Sequence, residues 1–292
     1  MSLLDTPRKL LHEWSTRRKN QRTIDSLEDV LGSDAPILLV HQMGRAGSMT
    51  TVNTLRAAGL DLAVFHTHWL NPASVKRRQE WVSHLPESRQ PLNIRMSARI
   101  AAQLQQEGTA RRRWKLVTVF REPIARNVSV FFLSIDAFVE DFQQRFQRGE
   151  LDNGALMEIF LNRFPHEQPL QWFEEEIEAV FGVNVYGESF PVERGYQLIR
   201  AGQVDLLLIK LEQLNDCYHA AFRDLLEVEI PALEHTHVTE QDPTKPMYTD
   251  FVRNAVFPAE YLDRMYDSAF ARHFYSEQER DAFRRKWSTA GK

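Results

Sequence analysis

Pro36-Ile37-Leu38-Leu39-Val40-His41-Gln42-Met43-Gly44-Arg45-Ala46-Gly47-Ser48-Met49-Thr50-Thr51 decides the reading of this chain. An apolar run, typical of a strand covered on both faces, stops at a loop with two glycines, one cation and three hydroxyls. A helical pattern follows, with Val52, Leu55 and Ala58 on one face. Strand, glycine loop and helix is how an α/β protein holds a phosphate: the backbone approaches closely, and the first N–H groups of the helix point at the anion. The nucleoside-triphosphatase pattern Gly-x-x-x-x-Gly-Lys-[Ser/Thr] is absent. The loop's one cation, Arg45, precedes Gly47 instead of following it. The bland alternative is a glycine pair that only shapes a tight turn.

Outward from this loop, three further strands stand out: Leu62–Phe65, Lys115–Phe120 and Val204–Lys210. Helical patterns occupy about 73–110, 123–181 and 211–226, and short strands are expected near Val183–Tyr186 and Tyr196–Arg200. Strands separated by helices predict one α/β domain over 34–292: a P-loop-like parallel β-sheet flanked by helices, with a helical insert and a helical C-terminal segment. Residues 1–33 read as a polar helical N-terminal extension, and its basic run Arg17, Arg18, Lys19, Arg22 as a solvated face. Phenylalanines recurring at helical intervals from Phe131 to Phe173 read as core.

Composition bounds the function classes. The 292 residues are 43% hydrophobic and 26% charged, as in an ordinary soluble globular protein. A formal net charge of -4 argues against a dedicated nucleic-acid binder. No apolar run is long enough to span a bilayer, and the N-terminus lacks the apolar core of a secretory signal. A single cysteine, Cys217, fits a reducing compartment and a packed thiol. The expectation is a cytoplasmic protein.

A second anion site is written after the third strand, in Arg121-Glu122-Pro123-Ile124-Ala125-Arg126-Asn127-Val128-Ser129. Pro123 suits a first helical turn, which places Arg121 at the carboxyl end of a strand, where open α/β sheets bind ligands. A guanidinium and the Ser129 hydroxyl can clamp one phosphate. The alternative pairs Arg121 with a carboxylate and leaves Ser129 facing solvent. Arg126 reads as a surface partner of Glu122, and Arg111-Arg112-Arg113 as a solvated loop.

These two motifs carry a family resemblance. Gly44-Arg45-Ala46-Gly47-Ser48 resembles the 5′-phosphosulfate loop of sulfotransferases, and Arg121 with Ser129 resembles their 3′-phosphate motif, in the same order and strand contexts. With Lys210-Leu211-Glu212-Gln213-Leu214 and His273-Phe274-Tyr275-Ser276, the wording is closest to bacterial capsular polysaccharide synthesis proteins, over roughly residues 36–287. The resemblance implies transfer of a sulfuryl group from 3′-phosphoadenosine-5′-phosphosulfate (PAPS) to a hydroxyl of a polysaccharide or glycolipid, leaving PAP, with no metal required. It assigns the donor to Gly44, Arg45, Ala46, Gly47, Ser48, Met49, Thr50, Arg121 and Ser129. Thr51 adds a hydroxyl to that cradle. Lys245, near Tyr248, lies where related proteins carry donor-side residues.

Sulfuryl transfer needs a base for the acceptor hydroxyl. Histidine titrates near neutrality, and Phe65-His66-Thr67-His68-Trp69 follows the second strand. An extended His-x-His points its rings oppositely, so one faces the cleft. The pattern resembles uronyl 2-O-sulfotransferases, which favours His68 as base and leaves His66 a supporting or structural role. The alternative is a plain core or surface histidine pair. His-x-His supplies only two metal ligands, so no metal site is expected. His235-Thr236-His237 is a lower-ranked second pair. Sulfotransferases commonly carry lysine where Arg45 stands; arginine holds its proton, so Arg45 supports a leaving phosphate by charge and not as an acid. The competing readings are a P-loop kinase and a catalytically weak nucleotide-binding protein in capsule assembly.

Overall fold

The computed structural model describes residues 7–233 and 244–289, with side chains from residue 14 onward. Five strands form one sheet: β1 (Ile37–His41), β2 (Val64–Thr67), β3 (Trp114–Phe120), β4 (Tyr196–Ala201) and β5 (Val204–Lys210). Their order is β2-β1-β3-β5-β4. β2, β1, β3 and β5 run parallel, and β4 closes the edge antiparallel to β5. The long apolar runs of β1, β3 and β5 are buried on both faces, which is why they read as strands without alternation.

The helices of the described chain are α1 (Pro7–Gly32), α2 (Ser48–Ala57), α3 (Pro72–Val82), α4 (Leu92–Glu107), α5 (Pro123–Leu133), α6 (Phe142–Gln147), α7 (Asn153–Arg163), α8 (Gln168–Phe173), α9 (Ala179–Phe181), α10 (Leu214–Leu226), α11 (Lys245–Asn254), α12 (Ala259–Tyr266), α13 (Ala269–Phe274) and α14 (Glu277–Ser288). Successive side chains of a strand serve opposite faces. Leu38, Val40, Val117, Val119, Leu207 and Ile209 meet Val52 and Leu55 of α2 and Phe222 of α10. Ile37, Leu39, Leu116, Phe120, Leu206 and Leu208 meet α1, α4, α5 and the aromatic insert on the other face. Phe131, Phe142, Phe160, Phe164 and Phe173 are buried there as expected. Phe146 is exposed.

Three sequence expectations shift. The second strand is Val64–Thr67 and not Leu62–Phe65, because the ladder continues until His41 pairs with Thr67. The segment expected as a strand near Val183–Tyr186 holds a 3-10 turn at Val185–Gly187, where Asn184 accepts the N–H of Tyr186. The basic triplet 111–113 is a clamp at the amino end of the sheet, not a solvated loop. Arg112 is 3% exposed and donates to the Val30 and Leu31 carbonyls that end α1. Arg113 grips both oxygens of buried Asp205, at 2.8 and 2.6 Å, and Arg111 reaches Asp34 and Glu107. Ile24, Leu27 and Leu31 of α1 are buried against the core, so the last third of this helix belongs to it.

Candidate functional site

The glycine loop leaves β1 at the carboxyl edge of the sheet. Gln42, fully buried, donates from Nε2 to the Ala46 carbonyl at 2.8 Å and fixes the loop from within. Ala46 is itself buried. Arg45 and Gly47 adopt left-handed backbone, with φ 69° and 75°. Gly47 has left-handed backbone and a Cβ on it would stand 2.9 Å from Leu211 Cδ1, just past β5, so a larger residue there is strained and has to displace Leu211. Gly47 is the N-cap of α2, and among the described residues no side chain caps the first N–H groups, those of Ser48, Met49 and Thr50. Thr51 is turned inward and donates to the Gly47 carbonyl at 3.2 Å, so its expected place in the cradle is corrected to a structural one. Gly44 has open space where a Cβ would be; its carbonyl accepts from Arg126 Nε at 3.3 Å.

The second corner is built by Glu122. Its carboxylate caps α5, accepting the N–H groups of Ile124 (2.9 Å) and Ala125 (2.7 Å), and it also accepts the Tyr266 hydroxyl. Arg126 is therefore not its surface partner. It is 2% exposed, and its three nitrogens serve Gly44 O, Asn127 Oδ1 and Gln168 Oε1. Desolvation brings the Arg126 guanidinium down to about 9. Ser129, one turn further along α5, accepts from Arg45 Nε at 2.8 Å. The two anion motifs thus touch through Arg45 and Ser129, where the sequence had coupled Ser129 to Arg121. Arg45, Arg121, Ser129 and Lys245 together line one pocket of about 250 Å³, with Phe132 and Tyr248 as its aromatic wall. Those two rings pack edge-on at 5.6 Å.

The histidines flank the start of the loop. His68 Nδ1 lies 2.7 Å from the Gln42 carbonyl. A carbonyl only accepts, so Nδ1 carries the proton and Nε2 keeps its lone pair. Burial, and then the nearby charges of Arg126 and Arg78, lower the His68 pKa, while the Gln42 contact opposes them. His66 is held down to about 3, first by burial and then by His68, Arg56 and His41. Its Nε2 is buried with no hydrogen-bond partner among the described residues, and its ring stands edge-on to His68 at 4.5 Å. Neither histidine lines the pocket of Arg45 and Arg121; His68 reaches it through the loop backbone.

Sequence reasoning missed Glu176 and quoted a second group only as family wording, without a role for its residues. Glu176, on a π-helical turn (Glu174–Glu178), is fully buried and accepts the N–H groups of Leu70 (2.5 Å) and Asn71 (2.8 Å), just past His68. It also faces His41 Nε2 at 3.7 Å. Burial raises the pKa of the Glu176 carboxyl and lowers that of the His41 imidazole to about 3. No local signal could have found a partner a hundred residues away. The second group comprises Glu212 and Tyr275. Glu212 accepts the backbone N–H of Glu122 at 2.9 Å and the Tyr275 hydroxyl at 3.2 Å. Lys210, fully buried, holds Glu279 at 2.9 Å and lies over the Tyr275 ring. This network pins the turn that carries Arg121.

Cys217 is buried and its thiol is raised to about 11, as fits a packed side chain. His235 and His237 lie outside the described residues. Among the described residues no group of three or more His, Cys, Asp or Glu is placed to hold a metal ion.

A family model described as "Putative capsular polysaccharide synthesis protein" matches residues 152–276, less than half of the chain. The matched span contains Lys210–Leu214 and His273–Ser276, and of the residues lining the pocket it includes Lys245 and Tyr248. The glycine loop, His66, His68, Arg121 and Ser129 lie outside it. No curated protein and no solved structure matches the chain. The chain is thus similar, over its insert and C-terminal half, to a family tied to capsular polysaccharide synthesis.

Proposed function

We propose that this protein is a sulfotransferase that moves a sulfuryl group from PAPS to a carbohydrate hydroxyl in polysaccharide or glycolipid synthesis. The observation that carries the reading is the Arg45–Ser129 contact, which brings the glycine-loop corner and the corner of Arg121 to one pocket. Two guanidinium groups, a hydroxyl, an ammonium and an uncapped helix start suit a ligand with phosphates at both ends. The likeness to a capsular polysaccharide family supports a carbohydrate acceptor. The donor supplies a sulfuryl group on a phosphate leaving group. In this reading His68 Nε2 takes the hydroxyl proton as the new O–S bond forms, and the electrons of the breaking S–O bond go to the 5′-phosphate. Arg45 and the α2 N–H groups compensate that charge, and Arg121 holds the 3′-phosphate, with Lys245 beside it.

Calorimetric titration tests this. Adenosine 3′,5′-bisphosphate should bind without metal and more tightly than Mg-ATP; the reverse order would favour the kinase reading and overturn this one. Arg121→Ala should weaken that binding by about 2 kcal/mol, the cost of a lost charge-assisted hydrogen bond. His68→Ala should abolish transfer of labelled sulfuryl groups to glycan extracts while nucleotide affinity stays intact.

A further inference from the structure

Three of the six tryptophans, Trp114, Trp172 and Trp287, are at most 1% exposed. Trp14 and Trp81 are 60% and 66% exposed, the two most exposed aromatic side chains of the described chain. They sit on α1 and α3, which both pack against α4. Exposed tryptophans on a chain that buries most of its other large aromatics mark a surface made to be covered.

The charge around them is distinctive. Residues 1–22 hold six Lys and Arg against two Asp and Glu, while the remaining 270 hold 30 against 38. A chain that is acidic overall thus concentrates positive charge ahead of residue 23, while the last part of α1 carries Asp25, Glu28 and Asp29. Along α1, Ile24, Leu27 and Leu31 form the stripe that packs on the body. Trp14, Arg18 and Arg22, four residues apart, form another stripe roughly a third of a turn away. Trp14 to Lys19 are exposed without exception, and Arg18 lies over the Trp14 ring at 5.3 Å. On α3, Trp81 is accompanied by exposed Lys76 and Arg77.

We propose that α1 and α3 form a peripheral docking surface for an anionic lipid bilayer. Tryptophan amid lysine and arginine is the chemistry of a membrane interface: the indole enters the headgroup boundary while the cations meet phosphate. A second copy of this chain is disfavoured, since it would bring the same cations together. No described helix is long and apolar enough to cross a membrane, so the contact is interfacial. The inference stands independently of the sulfotransferase reading.

Vesicle co-sedimentation of the full-length protein tests it. Vesicles with about a third phosphatidylglycerol should bind the protein at low salt, pure phosphatidylcholine should not, and binding should weaken in 0.5 M NaCl. Tryptophan fluorescence should shift to the blue on binding. Arg18→Glu/Arg22→Glu should cut partitioning at least tenfold, and Trp14→Ser/Trp81→Ser should remove the blue shift, with circular dichroism unchanged. No binding to anionic vesicles would overturn the proposal. So would binding that ignores the tryptophan variants and is matched by a soluble polyanion such as heparin, which would reassign the surface to a polysaccharide.

Discussion

Arg45 sits in left-handed backbone, a conformation that costs a non-glycine residue on the order of 1 kcal/mol, and spends its Nε on Ser129. The neighbouring Gly47 shares that backbone and meets Leu211 as well. Gly47→Ala should therefore destabilise by at least about 2 kcal/mol in chemical denaturation, and Leu211→Ala in the same chain should recover part of the loss; an unchanged midpoint would contradict the contact. His66 offers a pH test. Its folded pKa of about 3 lies below the unfolded 6.5, so its stabilising contribution is present above pH 6.5 and lost as pH falls toward 3. His66→Asn should flatten the stability profile below pH 6.5, by up to about 1.4 kcal/mol per pH unit near pH 5, measured by urea unfolding between pH 4.5 and 7. At this scale the glycine loop, Arg121 and Ser129 were legible, because residue type and spacing carry the chemistry. Arg126 and Arg112 were not. A buried arginine that serves backbone carbonyls looks, in sequence, like a solvated one.

Between residue and fold, the helix caps decide how the corners are held. Glu122 caps α5 and accepts the Tyr266 hydroxyl, so Glu122→Ala frees two N–H groups and orphans a buried hydroxyl. The expected loss is about 3 kcal/mol by calorimetric melting, with weaker nucleotide binding as α5 frays. Glu122→Gln, which keeps one acceptor, should recover part of it. Elements buried on both faces were the easiest to read, as β3 and β5 show. The end of β2 was harder. His66 and Thr67 look like loop, yet their backbones complete the ladder beside β1. The Val183–Tyr186 segment misled in the other direction, since apolar residues bury as well from a 3-10 turn as from a strand.

For the molecule as a whole, a mostly parallel sheet followed from alternating strand and helix patterns, but the strand order and the reversal of β4 did not, since a hairpin and a crossover can share one local sequence. The boundary at residue 33 is also a whole-molecule question. Removing residues 1–19 should leave the melting temperature within a few degrees, because Trp14–Lys19 are all exposed and Gln21, the acceptor for buried Arg95, is kept. Removing residues 1–33 should abolish cooperative melting or lower it steeply, since it strips Ile24, Leu27 and Leu31 from the core and the carbonyl partners from Arg112. Equal melting of the two truncations would show that α1 is an appendage. The reversed β4 has a broader consequence. β3 ends, and β4 begins, at the same edge of the sheet: Phe120 stands opposite Lys210, and Tyr196 opposite Ile209. The whole stretch from Arg121 to Gly195 therefore departs from and returns to the loop-bearing edge. Topologically it is a single excursion. Its connecting turns can lengthen or shorten without re-registering a strand, and so alter what approaches the pocket, while Arg126, Ser129 and Glu176 within it go on holding the glycine loop and the segment after β2.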